Sequence, residues 1–183
     1  SSIKILTGSD ADKAIVRASS GITGLPDGRG DDYIVTDTTI SAGELISLDS
    51  QYETVIASAV TTITGTAADI NTVYASSGIS GLGNEEITLS AGSVAAAADL
   101  NIINAATSGL VTATNITAIT GTALAVKAVI DAEADTGNAI NLDTDFMVTI
   151  TPAGTAAAAD LNAISAKTTG NITATSVTTL TGT

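Results

Sequence analysis

The chain has 183 residues, 44% of them hydrophobic but only 2% aromatic, and carries a net charge of −13 with no cysteine, histidine or tryptophan. The charge excludes an ordinary nucleic-acid surface, which needs a cationic footprint, and disfavours docking on anionic membranes. Disulfides and thiolate metal sites are absent, the usual nucleophile–base pairs are unavailable, and a core without aromatic bulk must be built from Ile, Leu, Val and Ala. No apolar run approaches the ~18 residues of a membrane span.

In chain order, one landmark recurs: small residues, an acid, then an aliphatic residue. It is Asp10-Ala11-Asp12-Lys13, Ala42-Gly43-Glu44-Leu45, Ala67-Ala68-Asp69-Ile70 and Ala97-Ala98-Asp99-Leu100, then Ala123-Leu124-Ala125-Val126 without the acid, then Ala158-Ala159-Asp160-Leu161. The intervals from position 13 to 45, 70, 100, 126 and 161 alternate long and short, so the period is a pair of units. Periods of this size mark solenoids and arrays. The predicted architecture is an α/β repeat, a solenoid of short helices alternating with Thr/Ile/Val-rich strands. A β-sandwich, or a β-solenoid with helical inserts, is the alternative. The whole of 1–183 reads as one array of six helix–strand units in three pairs, approximately 1–60, 61–116 and 117–183, expected to belong to a longer array.

Each landmark predicts a helix start. Ser9-x-x-Asp12, Ser41-x-x-Glu44 and Thr66-x-x-Asp69 pair an N-cap hydroxyl with a carboxylate three residues on. Apolar residues follow at helical spacing, as in Ile70/Val73/Tyr74, Leu100/Ile103 and Val126/Val129/Ile130. Gly21, Gly78, Gly109, Gly137 and Gly170 are placed to stop helices in the left-handed conformation. Between helices, β-rich segments are expected at Tyr33–Thr39, Thr54–Thr64, Glu86–Ser90, Leu110–Thr120, Phe146–Thr151 and Ile172–Thr181, several long enough for two strands with a bend. Asn71, Asn101 and Asn162 recur on the helices, suited to capping or to hydrogen bonds between coils.

The stretch Ala95–Thr122 returns at Ala156–Thr183 with 18 of 28 positions identical. Its Thr-Ala-Thr-x-Ile-Thr segments and the Thr-Gly-Thr-Ala-Ala-Asp-Ile and Ala-Ala-Ala-Asp-Leu-Asn units resemble the repeats of giant, motility-associated cell-surface proteins of marine cyanobacteria. The resemblance implies an extracellular or cell-surface location and a non-enzymatic role. It transfers no individual functional residue.

The acids gather in the longer halves of the period, whereas Leu100–Val126 has no charge. Asp131-x-Glu133-x-Asp135, followed by Gly137, Asn138 and Asp143, offers hard oxygen ligands in the outline of a calcium loop. It departs from the EF-hand in that glycine comes one place late and Leu142 stands where a bidentate Glu belongs. Asp27, Asp31 and Asp32 form a second oxygen-rich turn. Calcium is therefore the one expected cofactor. Thr112/Thr114 and Thr173/Thr175 recur as candidate hydroxyl pairs on a flat face. The expected function is a structural segment of a stalk, sheath or filament that self-associates end to end, without catalysis, nucleic acid or membrane insertion. An adhesion or ligand-binding module acting through acidic calcium-binding loops is the alternative, and an ice-binding Thr ladder the third.

Overall fold

The computed structural model describes residues 32–133, 139–152 and 154–182, together with the backbone of 5–6. The helix expected near Lys13, its Ser9/Asp12 cap, Gly21 and Gly137 lie outside the described residues. The fold is mixed α/β, with five helices and fifteen short strands among those residues. After β1 (Ile5–Leu6) come β2 (Asp32–Ile34), β3 (Thr39–Ser41), α1 (Ala42–Asp49), β4 (Thr54–Ile56), β5 (Thr62–Gly65) and α2 (Ala67–Ala75). Then follow β6 (Ile79–Ser80), β7 (Glu86–Leu89), β8 (Val94–Ala96), α3 (Ala97–Ala106), β9 (Val111–Ala113), β10 (Ala118–Gly121) and α4 (Ala123–Glu133). The last elements are β11 (Ile140–Leu142), β12 (Met147–Ile150), β13 (Gly154–Ala157), α5 (Ala158–Lys167), β14 (Ile172–Thr173) and β15 (Val177–Thr181).

Every helix begins three residues before its landmark aliphatic. Ser41 accepts a hydrogen bond from the Glu44 N–H at 3.1 Å, and Thr66 accepts one from the Asp69 N–H at 3.2 Å. These are the free donors of a first helical turn. Thr122 does the same for the Ala125 N–H at 3.1 Å. In α3 and α5 an alanine holds the N-cap and no side chain caps. There Asp99 and Asp160 sit in the first turn, where a negative charge meets the positive end of the helix dipole.

All described strand pairs are parallel, which leaves no antiparallel sandwich among them. Apart from β1, which pairs with β2, each strand pairs with the strand two places along the chain. Parallel pairing needs a crossover, and here a helix and one strand usually supply it. The four sheets have the orders β1-β2-β4-β6, β3-β5-β7-β9-β11, β8-β10-β12-β14 and β13-β15.

The alternation of long and short intervals has a structural cause. Two strands separate α1 from α2 and α3 from α4, whereas three separate α2 from α3 and α4 from α5. The extra residues, expected as acidic loop, build a strand. Each three-strand passage closes one sheet and opens another: β6 ends the first as β8 begins the third, and β11 ends the second as β13 begins the fourth. The strands β6, β8, β11 and β13 were not expected from composition. Three hold only two or three residues, and β8 and β13 are alanine-rich and run directly into helices, so β propensity gives little sign of them.

The core consists of aliphatic ladders. In the second sheet Ile40 faces Ile63, Ile63 faces Ile87, Ile87 faces Val111 and Val111 faces Ile140, all buried. In the third, Ala95, Ile119, Val148 and Ile172 form a similar row. Landmark residues Leu45, Ile70, Leu100 and Val126 seal the helices onto these rows, each fully buried. Aromatics contribute at a few points: Phe146 is buried, and the Tyr33 and Tyr52 rings lie 4.5 Å apart. Because strand side chains alternate, the next residue in each strand of the second sheet forms the opposite row, Ser41, Thr64, Thr88, Thr112 and Asn141. Truncating Ile87 to Ala in the central strand is expected to cost about 2–5 kcal/mol, against less than ~1 kcal/mol for Ile102→Ala on an exposed helix position. Urea unfolding of the two variants measures the difference.

Candidate functional site

The most regular polar chemistry lies where the chain leaves α3 and α5 and crosses its own earlier path. Thr107, the residue after α3, donates its hydroxyl to the Glu85 carbonyl at 2.6 Å and accepts from the Gly109 N–H at 3.0 Å. Thr168, after α5, repeats both bonds with the Phe146 carbonyl at 2.5 Å and the Gly170 N–H at 3.0 Å. In both cases the carbonyl lies 22 residues back along the chain. Both threonines are buried. The neighbouring backbone adds Ser108 N–H to Gly83 carbonyl at 2.9 Å and Thr169 N–H to Thr144 carbonyl at 2.7 Å. Ser76, after α2, accepts from Gly78 N–H at 3.0 Å but donates to the Asp49 carboxylate at 2.8 Å.

This geometry corrects the reading of the glycines. Gly78, Gly109 and Gly170 do not take the left-handed conformation, and the residues that end their helices are extended. A Cβ on Gly109 would lie 2.2 Å from the Glu85 carbonyl oxygen, and one on Gly170 2.3 Å from that of Phe146. At Gly109 and Gly170 glycine is required because two backbones touch, whereas at Gly78 a Cβ would meet the Asp49 carboxylate. The signal in the sequence was the full motif, Ser76-Ser77-Gly78, Thr107-Ser108-Gly109 and Thr168-Thr169-Gly170, and not the glycine alone.

A second set of bonds joins the helices. Asn71, fifth residue of α2, donates to the Asp99 carboxylate, third residue of α3, at 2.9 Å. Asn101, fifth of α3, donates to the carbonyl of Ala125, third of α4, at 3.0 Å. Lys127, fifth of α4, is held positive beyond the usual lysine range by its bond to Asp131 and by the charge of Asp160, third of α5. In α2 and α3 the fifth position thus bonds the third position of the next helix, whereas Lys127 in α4 turns to Asp131 of its own helix.

Glu85 is the one buried carboxylate among the described residues, at 0% exposure. Its two oxygens share the Gly83 N–H at 2.8 and 2.9 Å, and the Tyr74 hydroxyl donates to Oε2 at 2.9 Å. Burial, reinforced by the Glu85 charge and hydrogen bond, pushes the Tyr74 phenol well above its ordinary value. A buried carboxylate is tolerated only with such donors around it. Phe146 holds the matching place in the other copy, under the same threonine bond.

The expected calcium ligands are dispersed among other partners. Asp27, Asp31 and Asp135 lie outside the described residues. Asp131 pairs with Lys127 at 2.5 Å, and Glu133 with Lys167 at 3.0 Å, joining α4 to α5. Asp143 accepts from the Thr144 N–H at 2.7 Å, and Asp32 is exposed at the start of β2. Among the described residues no three acids lie close enough together to hold a metal ion. The Thr112/Thr114 and Thr173/Thr175 pairs are not two-residue rows on strands: Thr112 and Thr173 are in strands, whereas Thr114 and Thr175 occupy the turns that follow. A shallow depression lined by Thr114, Asn115, Ile116, Thr117, Asp145 and Met147 carries no buried polar group. No helix among the described residues is long and apolar enough to cross a membrane.

No family model matches the chain, and no curated protein or solved structure shows significant similarity to it.

Thr107→Val removes a donor and an acceptor together, and leaves the Glu85 carbonyl and Gly109 N–H unpaired. A loss of about 1–3 kcal/mol per orphaned group is expected, with Thr107→Ser close to the parent; Gly109→Ala should be at least as damaging, by overlap. Chemical denaturation orders the three. For Tyr74, a folded pKa raised above the unfolded value of about 10 means that the neutral phenol stabilises the fold below pH 10, and that this stability is lost as pH rises through the folded value. The parent's advantage over Tyr74→Phe is therefore expected to be constant from pH 7 to 9 and to shrink above pH 10, as read by denaturation at each pH.

Proposed function

We propose that the chain is a solenoid segment that serves a non-enzymatic, structural role in an extracellular or cell-surface stalk, sheath or filament. The observation that carries this reading is the recurrence of one seam, Thr107 over Glu85 and Thr168 over Phe146, at the same span of 22 residues. A bond set that repeats with the sequence makes each coil a template for the next, so that stability grows by nearest-neighbour addition. The parallel strand register and the helix-to-helix bonds of Asn71 and Asn101 support it in the same sense. The buried hydroxyls of Thr107 and Thr168 are engaged in holding coils together. The surface acids keep lateral neighbours apart by like-charge repulsion.

The test is an insertion. One full period runs from the start of α3 at Ala97 to the residue before α5 at Ala158. A second copy of residues 97–157 placed after residue 157 is expected to fold, with unchanged circular dichroism per residue. Its melting temperature should be equal or higher, and its maximum dimension in small-angle scattering greater at constant cross-section. An insert that unfolds or aggregates would show that the fold is not additive, and the solenoid reading would be lost.

A further inference from the structure

We propose that Glu85, gripped by Tyr74, is a register key: it fixes which residues of β7 enter the second sheet, at a point where hydrophobic alternation leaves two choices open. Glu85, Ile87 and Leu89 are all buried, whereas Glu86 is exposed and Thr88 half-exposed. A slip of β7 by one residue would bring Glu86 and Thr88 inside, and the pattern forbids it. A slip by two residues keeps the pattern. The chain on either side is suited to such a slip, since Gly81 and Gly83 before the strand and Gly92 after it stand at positive φ, in turns whose path glycine leaves free to change.

Backbone contacts cannot choose between registers two residues apart. The ladders to β5 and β9 bond whatever residue stands opposite, and Thr107 donates to the carbonyl of residue 85, not to its side chain. The Glu85 carboxylate can choose. Its donors among the described residues are the Tyr74 hydroxyl at 2.9 Å and the Gly83 N–H at 2.8 and 2.9 Å. Moved two places, so that it stood between Ile63 and Val111, it would meet two fully buried aliphatic side chains and no side-chain donor. A buried carboxylate stripped of its partners is strongly destabilising. With the opposite slip Ile87 would take its place, the Tyr74 hydroxyl would lose its acceptor, and Ala91 would replace Leu89 beside Gly65.

The matching passage has no such key. Tyr74 is the eighth residue of α2, and the eighth of α4 is Ile130, which is buried. Phe146, Val148 and Ile150 are the buried residues of that passage where Glu85, Ile87 and Leu89 stand in the first. All three are apolar, so register there falls to side-chain volume. Tyr74 thus goes with Glu85 in one passage, and Ile130 with Phe146 in the other.

Disulfide trapping on the 183-residue chain tests the key, because the chain has no cysteine of its own. Thr88 stands opposite Thr112, so Thr88→Cys/Thr112→Cys should close on oxidation. Residues 86 and 90 lie about 8 Å from residue 112 in this register, beyond the ~7 Å reach of a disulfide. Glu86→Cys/Thr112→Cys and Ser90→Cys/Thr112→Cys therefore report the two slips, and peptide mass mapping reads each pair. With Tyr74 and Glu85 in place only the 88–112 pair is expected to close. Glu85→Gln, which still accepts from both donors, should behave alike. Tyr74→Phe/Glu85→Leu should raise closure of a slipped pair by about tenfold or more, and Tyr74→Phe alone, the milder change, by less. If Tyr74→Phe and the double variant both close 88–112 alone, or if Glu85→Gln slips as readily as the double variant, the proposal is overturned. The outcome concerns β5, β7 and β9 only, so it stands or falls apart from the insertion experiment.

Discussion

The fold depends above all on the spacing between the residue that follows a helix and the backbone it meets some twenty residues back along the chain. Thr107 and Thr168 fix that spacing by donating to a carbonyl 22 residues earlier while they accept from the N–H of their own glycine. The hydroxyl is thereby used in both directions, and two backbone groups that would otherwise be buried unpaired are satisfied. The glycine lets the two backbones close to contact. Once that distance is set, neighbouring strands fall into parallel register, and the aliphatic rows from Ile40 to Ile140 and from Ala95 to Ile172 come into line. Small side chains suffice for such a core because its rows are thin and every layer is covered by the next.

Much of this was legible in the residues, and the reason differs from element to element. Helix starts were readable because capping is local: Ser41 with Glu44 and Thr66 with Asp69 act within one turn. The two-unit period was readable because it is a count. The cause of the period was not, since the extra strand in each long interval is a short segment such as Val94–Ala96, whose strand character comes only from the neighbour it lies beside. The glycines after the helices were found and given the wrong reason. A left-handed stop is a local property, whereas the clash that excludes a side chain at Gly109 involves Glu85, more than twenty residues away.

The acids show the same limit from the other side. Glu85 falls in one of the acid-rich longer halves of the period, yet it lies fully buried beside Tyr74 and Gly83, in the place that Phe146 takes under the matching threonine. Asp131 and Glu133 look like neighbouring ligands in one dimension. On the helix they point to different cations, Lys127 and Lys167, and serve to tie α4 internally and to α5. Asn71 and Asn101 were expected to work between units, and they do so because their separation matches the helix repeat. Asn71 and Asn101 were accessible to reasoning from sequence because they hold one recurring helix position, whereas Glu85, Asp131 and Glu133 hold no such recurring place.

Those passages have a consequence for the surface. The row Ser41, Thr64, Thr88, Thr112 and Asn141 occupies one sheet and stops where that sheet is replaced, five strands from its beginning. A lengthened chain of this design would therefore not carry an unbroken hydroxyl stripe along its flank. It would carry one short row to each sheet, as Ala96, Thr120, Thr149 and Thr173 form in the third.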